Sequence, residues 1–335
     1  KNITIKEAMK ILDRTAEKCL IVVSEDRKLL GTLTDGDIRR SLLQGKNVSS
    51  KIVDSYFKAP FTLKEDDYSD VEALEILRVE KLDLIPIVSN NGELIDYLTW
   101  KKLGEEKDVS NNRLSDTHVV IMAGGQGVRL QPFTKVLPKP LIPIHDKPII
   151  EHIIDRFIKL GCSNFHITIN YKKKILKAYF EDLNPKYNLD FIEEEKPLGT
   201  GGSLGFLEGK INDTFIVTNC DNIIDIDFEG FLEHHHKGNY DISLVASAKE
   251  YIIPYGTCVV DDKGGLSHIN EKPKYDFLIN TGLYVVEPKI LALIPKNEFF
   301  HITHLIEKVK SAQGKIGVFP IDDESWIDVG QWAEY

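Results

Sequence analysis

Residues 119–130 read Val-Val-Ile-Met-Ala-Gly-Gly-Gln-Gly-Val-Arg-Leu, an apolar run broken by three glycines within four positions. Such a run predicts a buried strand. The glycines let the backbone beyond it approach an anion closely and turn N–H groups toward it. Downstream, apolar runs alternate with helical periodicity. The pattern predicts helices over 148–160, 175–180, 204–207 and 228–237, and strands over 165–169, 190–192, 215–218, 241–248 and 257–260. Alternation of this kind implies an α/β domain built on a Rossmann-like, mostly parallel sheet, with ligands past the carboxyl ends of the strands.

The first third of the chain has another organisation. A constant shift of 65 residues aligns Ala8 with Ala73, Ile11 with Ile76, Leu12 with Leu77, Val23 with Val88, Leu33 with Leu98 and Thr34 with Thr99. One offset held through helix, turn and strand patterns marks two copies of one α+β unit. Each copy is expected to run helix (7–15; 70–81), strand (20–23; 85–88), strand (29–34; 94–99), helix (37–43; 100–103). The copies span about 1–50 and 60–105. A polar stretch at 104–117 reads as the linker, so the expected domains are 1–112 and 117–335.

Composition narrows the class. The chain has 335 residues, 42% hydrophobic and 28% charged, with a net charge of -10. That is a globular mixture, and its acidity argues against a nucleic-acid partner. The densest basic run, Lys172, Lys173, Lys174 and Lys177, reads as a solvated helix face. No stretch approaches the ~20 apolar residues of a membrane span, and the first ten residues do not resemble a signal peptide. Cys19, Cys162, Cys220 and Cys258 form no C-x-x-C pair and are expected to be reduced core cysteines of a cytoplasmic protein. The chain begins at Lys1 and ends at Tyr335 without a closing helix, which suggests trimmed ends.

The glycine loop fits neither of two familiar patterns. A Walker loop needs Gly-Lys-Ser/Thr where Arg129 and Leu130 stand, and a dinucleotide fingerprint needs glycine in place of Leu130. The second mismatch argues against a nicotinamide oxidoreductase. Further on, Pro138-Lys139-Pro140 holds a cation in restricted backbone. Arg129 suits bidentate contact with phosphate oxygens, and Lys139 suits a point charge.

The whole stretch from Met122 to Pro140 resembles the signature of the sugar-1-phosphate nucleotidyltransferases. That signature is Leu/Met-Ala-Gly-Gly-x-Gly-x-Arg-Leu-x-Pro-x-Thr followed by Pro-Lys-Pro, and every position matches. The resemblance extends over about 117–335 and implies roles for particular residues. Met122, Ala123, Gly124, Gly125 and Gly127 would line the nucleotide, with Arg129 and Lys139 on its phosphates. Asp221, closing Val217-Thr218-Asn219-Cys220-Asp221, and Asp328, within Trp326-Ile327-Asp328-Val329-Gly330, would hold Mg²⁺. The loop Glu194-Glu195-Lys196-Pro197-Leu198-Gly199-Thr200 would lie beside base and ribose. Gly199 and Thr200 would contact the nucleotide, and Glu194 or Glu195 (Glu195 the expected one) would accept from guanine. Gly256, Glu271, Asn280 and Thr281 would bind the sugar, and Lys272 its phosphate. His234-His235-His236 is not expected to hold a metal, because neighbours on a helix point ~100° apart.

In the first repeat, Gly31-Thr32-Leu33-Thr34-Asp35-Gly36-Asp37 resembles the nucleotide-binding end of a CBS domain. The resemblance implies ribose contacts by Thr34 and Asp37, an adenine nucleotide with phosphates near Arg39 or Arg40, and a homo-oligomer. The second copy has Lys102 where Asp37 stands, so at most one such site is expected. Together these features imply a cytoplasmic, Mg²⁺-dependent enzyme that transfers GMP from GTP to a sugar 1-phosphate. The fusion of a CBS pair to this domain resembles guanylyltransferases that act on glucosamine 1-phosphate, making GDP-glucosamine for legionaminic-acid-type surface sugars. A mannose-1-phosphate guanylyltransferase, or another nucleoside-diphosphate-sugar pyrophosphorylase, is the second expectation. A nucleotide-sensing regulator with an inactive transferase fold is the alternative outside catalysis; the presence of Arg129, Lys139, Asp221 and Asp328 together argues against it.

Overall fold

The computed structural model describes residues 2–15, 18–65, 67–100, 102–103 and 114–330. Most of the expected linker, 104–113, lies outside them. The chain divides into two compact units, Lys1–Val109 with Ala248–Leu278, and Ser110–Ser247 with Ile279–Tyr335.

In the first unit the 65-residue offset holds down to hydrogen-bond register. Antiparallel strands Cys19–Val23 and Leu29–Thr34 pair Cys19 with Thr34; strands Leu84–Val88 and Leu94–Thr99 pair Leu84 with Thr99. Both ladders are irregular at the equivalent step, Val22/Val23 and Ile87/Val88. Helix Ile5–Thr15 places Ile5, Ala8, Met9 and Leu12 on one buried stripe, as its spacing requires. Helix Asp70–Val79 does the same with Ala73 and Leu77.

The copies diverge after their second strands. In the first, helix Asp35–Leu43 opens on a reciprocal capping box between Thr34 and Asp37. In the second, Trp100, Lys102 and Leu103 form turn rather than the expected helix. Thr99 still accepts from Lys102 N at 3.3 Å, but an ammonium cannot return the bond to a backbone N–H. Lys102 Nζ turns to Asp96 and the Tyr97 carbonyl, and Trp100 Nε1 to the Leu82 carbonyl.

Segment 248–278, expected within the second domain, packs with the first unit. Ala248 enters the core of the first repeat, Ser49 Oγ donates to Asp276 at 2.7 Å, and Lys6 lies 3.8 Å from Glu250. The segment carries an exposed hairpin, Thr257–Val260 with Leu266–Asn270. Cys258 sits on it and is exposed, contrary to expectation; Cys19, Cys162 and Cys220 are buried.

The second unit is built on a seven-stranded sheet. The order is Asn188–Glu193, Asn164–Ile169, His118–Met122, Phe215–Asn219, Lys274–Val286, Ile242–Ile252, Ile316–Asp322. The first four run parallel, and Lys274–Val286 is antiparallel to Phe215–Asn219. Side chains of His118–Met122 alternate between two cores, Val119 and Ile121 on one face, Val120 and Met122 on the other. Helices Ile149–Lys159, Lys173–Leu183 and Phe228–Gly238 cover the first face. Helix Ile302–Ser311 and a 3₁₀ stretch, Gly202–Leu207, cover the second. The expected α-helix at 204–207 is therefore 3₁₀. No described helix is long and apolar enough to cross a membrane.

The basic run behaves as a solvated face, with Lys173 and Lys177 pairing to Glu193. The histidine triplet is structural. His235 is fully buried, with Nδ1 at 2.8 Å from Ser243 Oγ and Nε2 at 3.1 Å from Glu287. Burial holds its pKa below the ordinary imidazole value, although Glu287 pulls the other way. Below pH ~6.5 the unfolded chain therefore takes up this proton before the folded one does. Thermal unfolding should show stability falling as pH drops from 7 toward 5, and His235→Gln should flatten that slope. An unchanged slope in the variant would contradict this account.

Candidate functional site

The three loop glycines have three different physical reasons. Gly127 has φ +64, and a Cβ there would stand 2.9 Å from Thr134 Cγ2 and 3.0 Å from Lys139 Cβ. A Cβ on Gly124 would stand 3.0 Å from Glu194 Oε1. Gly125 has open space where its Cβ would be, and it is exposed. The loop is thus folded tightly over the Pro138–Pro140 stretch and the Glu194 carboxyl, and presents its backbone outward at Gly125. Met122 and Ala123 are buried, so only their backbone is available to a nucleotide. Ala123 N already donates to the Thr168 carbonyl. Arg129 is exposed beside buried Leu130, within a 3₁₀ turn.

Lys139 and two acids meet beyond the sheet. Asp221 follows strand Phe215–Asn219, while Asp328 closes a short strand, Trp326–Asp328, that pairs antiparallel with Asn222–Ile224. Val329 N donates to the Asp221 carbonyl at 3.0 Å, which ties the two segments. A Cβ built on Gly330 would stand 2.6 Å from Asp221 Oδ2, 2.7 Å from Asp328 Oδ1 and 3.0 Å from Lys139 Nζ. A side chain at 330 would collide with all three groups, so only glycine fits there. Lys139 is ion-paired with Asp221. Burial opposes its charge, but Asp221 and Asp328 contribute to a net rise above the ordinary lysine pKa. Asp221 Oδ2 and Asp328 Oδ1 both lie within 2.7 Å of one point beside Gly330 and so lie close together; two carboxylate oxygens held in this way suit a hard divalent cation whose remaining ligands are phosphate oxygens and water. Cys220, between the sheet and Asp221, is buried with its thiol pushed up to about 12, so it stays protonated and apart from this chemistry.

On the other side of the glycine loop, Glu194 is buried and accepts from Leu198 N at 3.1 Å. Burial pushes its carboxyl pKa up. Glu195 is exposed, so the structure brings Glu194 rather than Glu195 to the loop. The second glycine loop serves close packing. Cβ atoms on Gly199, Gly201 and Gly202 would stand 2.7–2.8 Å from backbone at Phe300, His301 and Glu298 respectively. Thr200 Oγ1 accepts from Ile302 N at 3.2 Å.

Asn280 bonds Tyr284 Oη and Gly282 N; Thr281 is buried with its hydroxyl donated to the Val245 carbonyl. The Thr281 side chain is thus committed to the core. Asn222, unremarked in the sequence, is buried next to Asp221 and donates to the Thr281 carbonyl. A buried polar residue just beyond an apolar strand was the available signal.

The remaining expected residues belong to the first unit. A Cβ on Gly256 would stand 2.9 Å from Glu271 Oε2, so the hairpin brings these two together. Lys272 is exposed with φ +45. Thr34 Oγ1 donates to Asp37 at 2.7 Å within the capping box, and Arg40 pairs with Asp37 at 2.5 Å.

The nucleotidyl transferase family model matches residues 118–335, and the CBS domain model matches residues 1–44. A mannose-1-phosphate guanyltransferase from Yarrowia lipolytica is 34% identical over 230 residues, which is 64% of this chain and 61% of that protein. The bifunctional protein GlmU of Methanocaldococcus jannaschii is 32% identical over 225 residues, 63% of this chain and 51% of GlmU. The chain therefore spans between half and three fifths of these relatives. The crystal structure of HddC from Yersinia pseudotuberculosis complexed with GMP-PN superposes with a TM-score of 0.51 at 26% identity, covering 65% of this chain and 96% of HddC.

Because Lys139 pairs with an Asp221 oxygen that a cation would use, its loss has two expected effects. Lys139→Met should lower stability without divalent ions by about 2 kcal/mol, between exposed-pair and buried-pair values. It should also tighten Mn²⁺ binding by the free protein, read by electron paramagnetic resonance. Weaker Mn²⁺ binding in the variant would contradict the shared position.

Proposed function

The chain belongs to the nucleotidyl transferase family, and from that premise we propose that it transfers the nucleotidyl group of GTP to a sugar 1-phosphate. A phosphate oxygen of the sugar 1-phosphate attacks the α-phosphorus. The α–β bridging bond breaks, and pyrophosphate leaves with that bond's electron pair. The observation that carries this reading is the clustering of Lys139, Asp221 and Asp328 around Gly330, with Lys139 packed against the glycine loop at Gly127.

Catalysis here is positioning and charge stabilisation. The backbone around Gly125 cradles phosphate oxygens. Arg129, exposed next to it, grips the β- and γ-phosphates, and Lys139 steadies the reacting phosphate. Asp221 and Asp328 would hold Mg²⁺, which supplies neutralisation of charge on the phosphates when bound. Asn280 would contact the sugar; the roles of Lys272 on the sugar phosphate and of Gly256 and Glu271 on the sugar come from the family resemblance alone, since these residues lie in the other unit. The Glu194 carboxyl, buried and already accepting from Leu198 N, would turn its remaining acceptor positions to the N1–H and 2-amino donors of guanine. The guanyltransferase relatives and the GMP-PN complex of HddC support that base.

The mannose-1-phosphate guanyltransferase relatives favour mannose 1-phosphate as acceptor, ahead of the glucosamine 1-phosphate expected from the sequence. The glucosamine reading, with its link to legionaminic acid, is supported only by the CBS unit. An adenine nucleotide at Thr34 and Asp37 would have to share the hydroxyl and carboxylate now engaged in the capping box. A homo-oligomer and a cytoplasmic site of action complete the proposal.

Pyrophosphate release should be measured with Mg²⁺ across GTP, UTP, CTP, ATP and dTTP, each with mannose, glucosamine, glucose and N-acetylglucosamine 1-phosphates. Release with GTP and mannose 1-phosphate is expected. Asp328→Asn should lower kcat by about 10²–10³-fold, the scale for loss of one charge-stabilising group. Silence across the grid with GTP still bound would leave the regulator as the better reading.

A further inference from the structure

Thr200 is expected from the sequence to touch the nucleotide; it is exposed, and its hydroxyl is also hydrogen-bonded within the chain. It accepts from Ile302 N at 3.2 Å and lies 3.2 Å from His301 Nδ1. His301 is the N-cap of helix Ile302–Ser311, in a reciprocal capping arrangement with His304. The surrounding backbone is laced to the same segment. Phe300 N donates to the Leu198 carbonyl at 2.8 Å, and Gly201 N and Gly202 N donate to the Phe300 carbonyl at 2.9 Å. The three glycines permit this approach, since any Cβ among them would collide with the 298–301 backbone.

The lacing ends on a carboxyl group. The Leu198 peptide faces both ways: its carbonyl accepts from Phe300 N, and its N–H donates to Glu194 Oε2 at 3.1 Å. Glu194 in turn abuts Gly124, with Asn170 Nδ2 holding its carbonyl at 3.0 Å. The loop is therefore tied twice to the segment that starts the last described helix, at Thr200 by Ile302 N and at Leu198 by Phe300 N, and the Leu198 N–H reaches the Glu194 side chain. A carboxylate that reads two donors on one base edge must hold both oxygens in place, and a small rotation loses the second bond.

We propose that Thr200 and His301 are positioning residues for base selectivity, acting through Leu198 to orient the Glu194 carboxylate. This rests on the reading of Glu194 as the guanine acceptor. Neither side chain need touch the nucleotide. Their work is to fix the 198–202 loop on the N-terminus of helix Ile302–Ser311. The expected signature is a loss of discrimination between GTP and ITP, because inosine lacks the 2-amino donor. Phosphate chemistry at Lys139, Asp221 and Asp328 should be spared.

The test compares the full chain with Thr200→Val, Thr200→Ser and His301→Ala. Direct binding of GTP and ITP and steady-state kinetics are both measured. Thr200→Val and His301→Ala should weaken GTP binding by about fivefold, the worth of roughly one hydrogen bond, and leave ITP binding nearly unchanged. The kcat and the KM for the sugar 1-phosphate should stay within about twofold, a range too small to indicate loss of a catalytic group. Thr200→Ser, which keeps the hydroxyl, should restore the preference. Equal weakening of GTP and ITP, a parallel rise in the sugar KM, or no change at all would overturn the proposal. If Thr200→Val unfolds, His301→Ala decides, and a GTP/ITP ratio equal to wild type there is a refutation. A wild type that does not prefer GTP to ITP would overturn the Glu194 reading itself, which is a different result from an indifferent variant.

Discussion

Like charges cannot be brought together at the end of a sheet without a counter-charge, and this constraint shapes the second unit. Asp221 and Asp328 aim oxygens at one point, and Lys139 supplies the cation that makes the arrangement stable before any ligand arrives. The rest follows from holding those three groups still. Asp221 is fixed by the buried strand behind it, Asp328 by pairing with Asn222–Ile224, and Lys139 by the buried Pro140 and Leu141 that follow it. Gly330 completes the set by its missing side chain, since any Cβ would occupy the meeting point.

The first unit shows how one residue separates two copies of a single design. Strand register and its irregularity survive at the same offset, because both depend on alternating apolar residues that each copy keeps. The following helix depends on an acceptor three residues past the threonine. Asp37 provides one and Lys102 cannot. Helix Asp35–Leu43 thus opens on a reciprocal capping box, of which Thr99 and Lys102 keep one bond.

Much of this was legible in the sequence because period-2 and period-3.6 patterns report burial directly. The repeat, the parallel strands and the order of helices all carry that signal, and the glycine loop and Lys139 carry a motif signal. Three kinds of feature were not legible. Glu194 and Glu195 are adjacent identical residues, and only the strand ending at Glu193 decides which one turns inward. Thr200 sits in a loop whose partner, Phe300–Ile302, lies a hundred residues away, so no local pattern marks its hydroxyl as taken. The 248–278 segment follows a strand begun in one unit but packs its start, at Ala248, into the core of the other; sequence continuity hides such an exchange.

The strand order also separates two tasks. The glycine loop leaves His118–Met122, in the interior of the parallel half of the sheet. Asp221 follows the neighbouring strand on one side; Glu194 follows the strand two places away on the other. In the proposed reaction the phosphates meet charge on the first side, while the base meets a single buried carboxyl on the second. The two sides meet at the loop backbone, where Gly127 packs on Lys139 and Gly124 on Glu194. Changes around Glu194 can therefore alter which base is read without moving Lys139 or the aspartates. A change at Gly127 cannot be so selective, because its positive φ and its contact with Lys139 set the path of the loop itself.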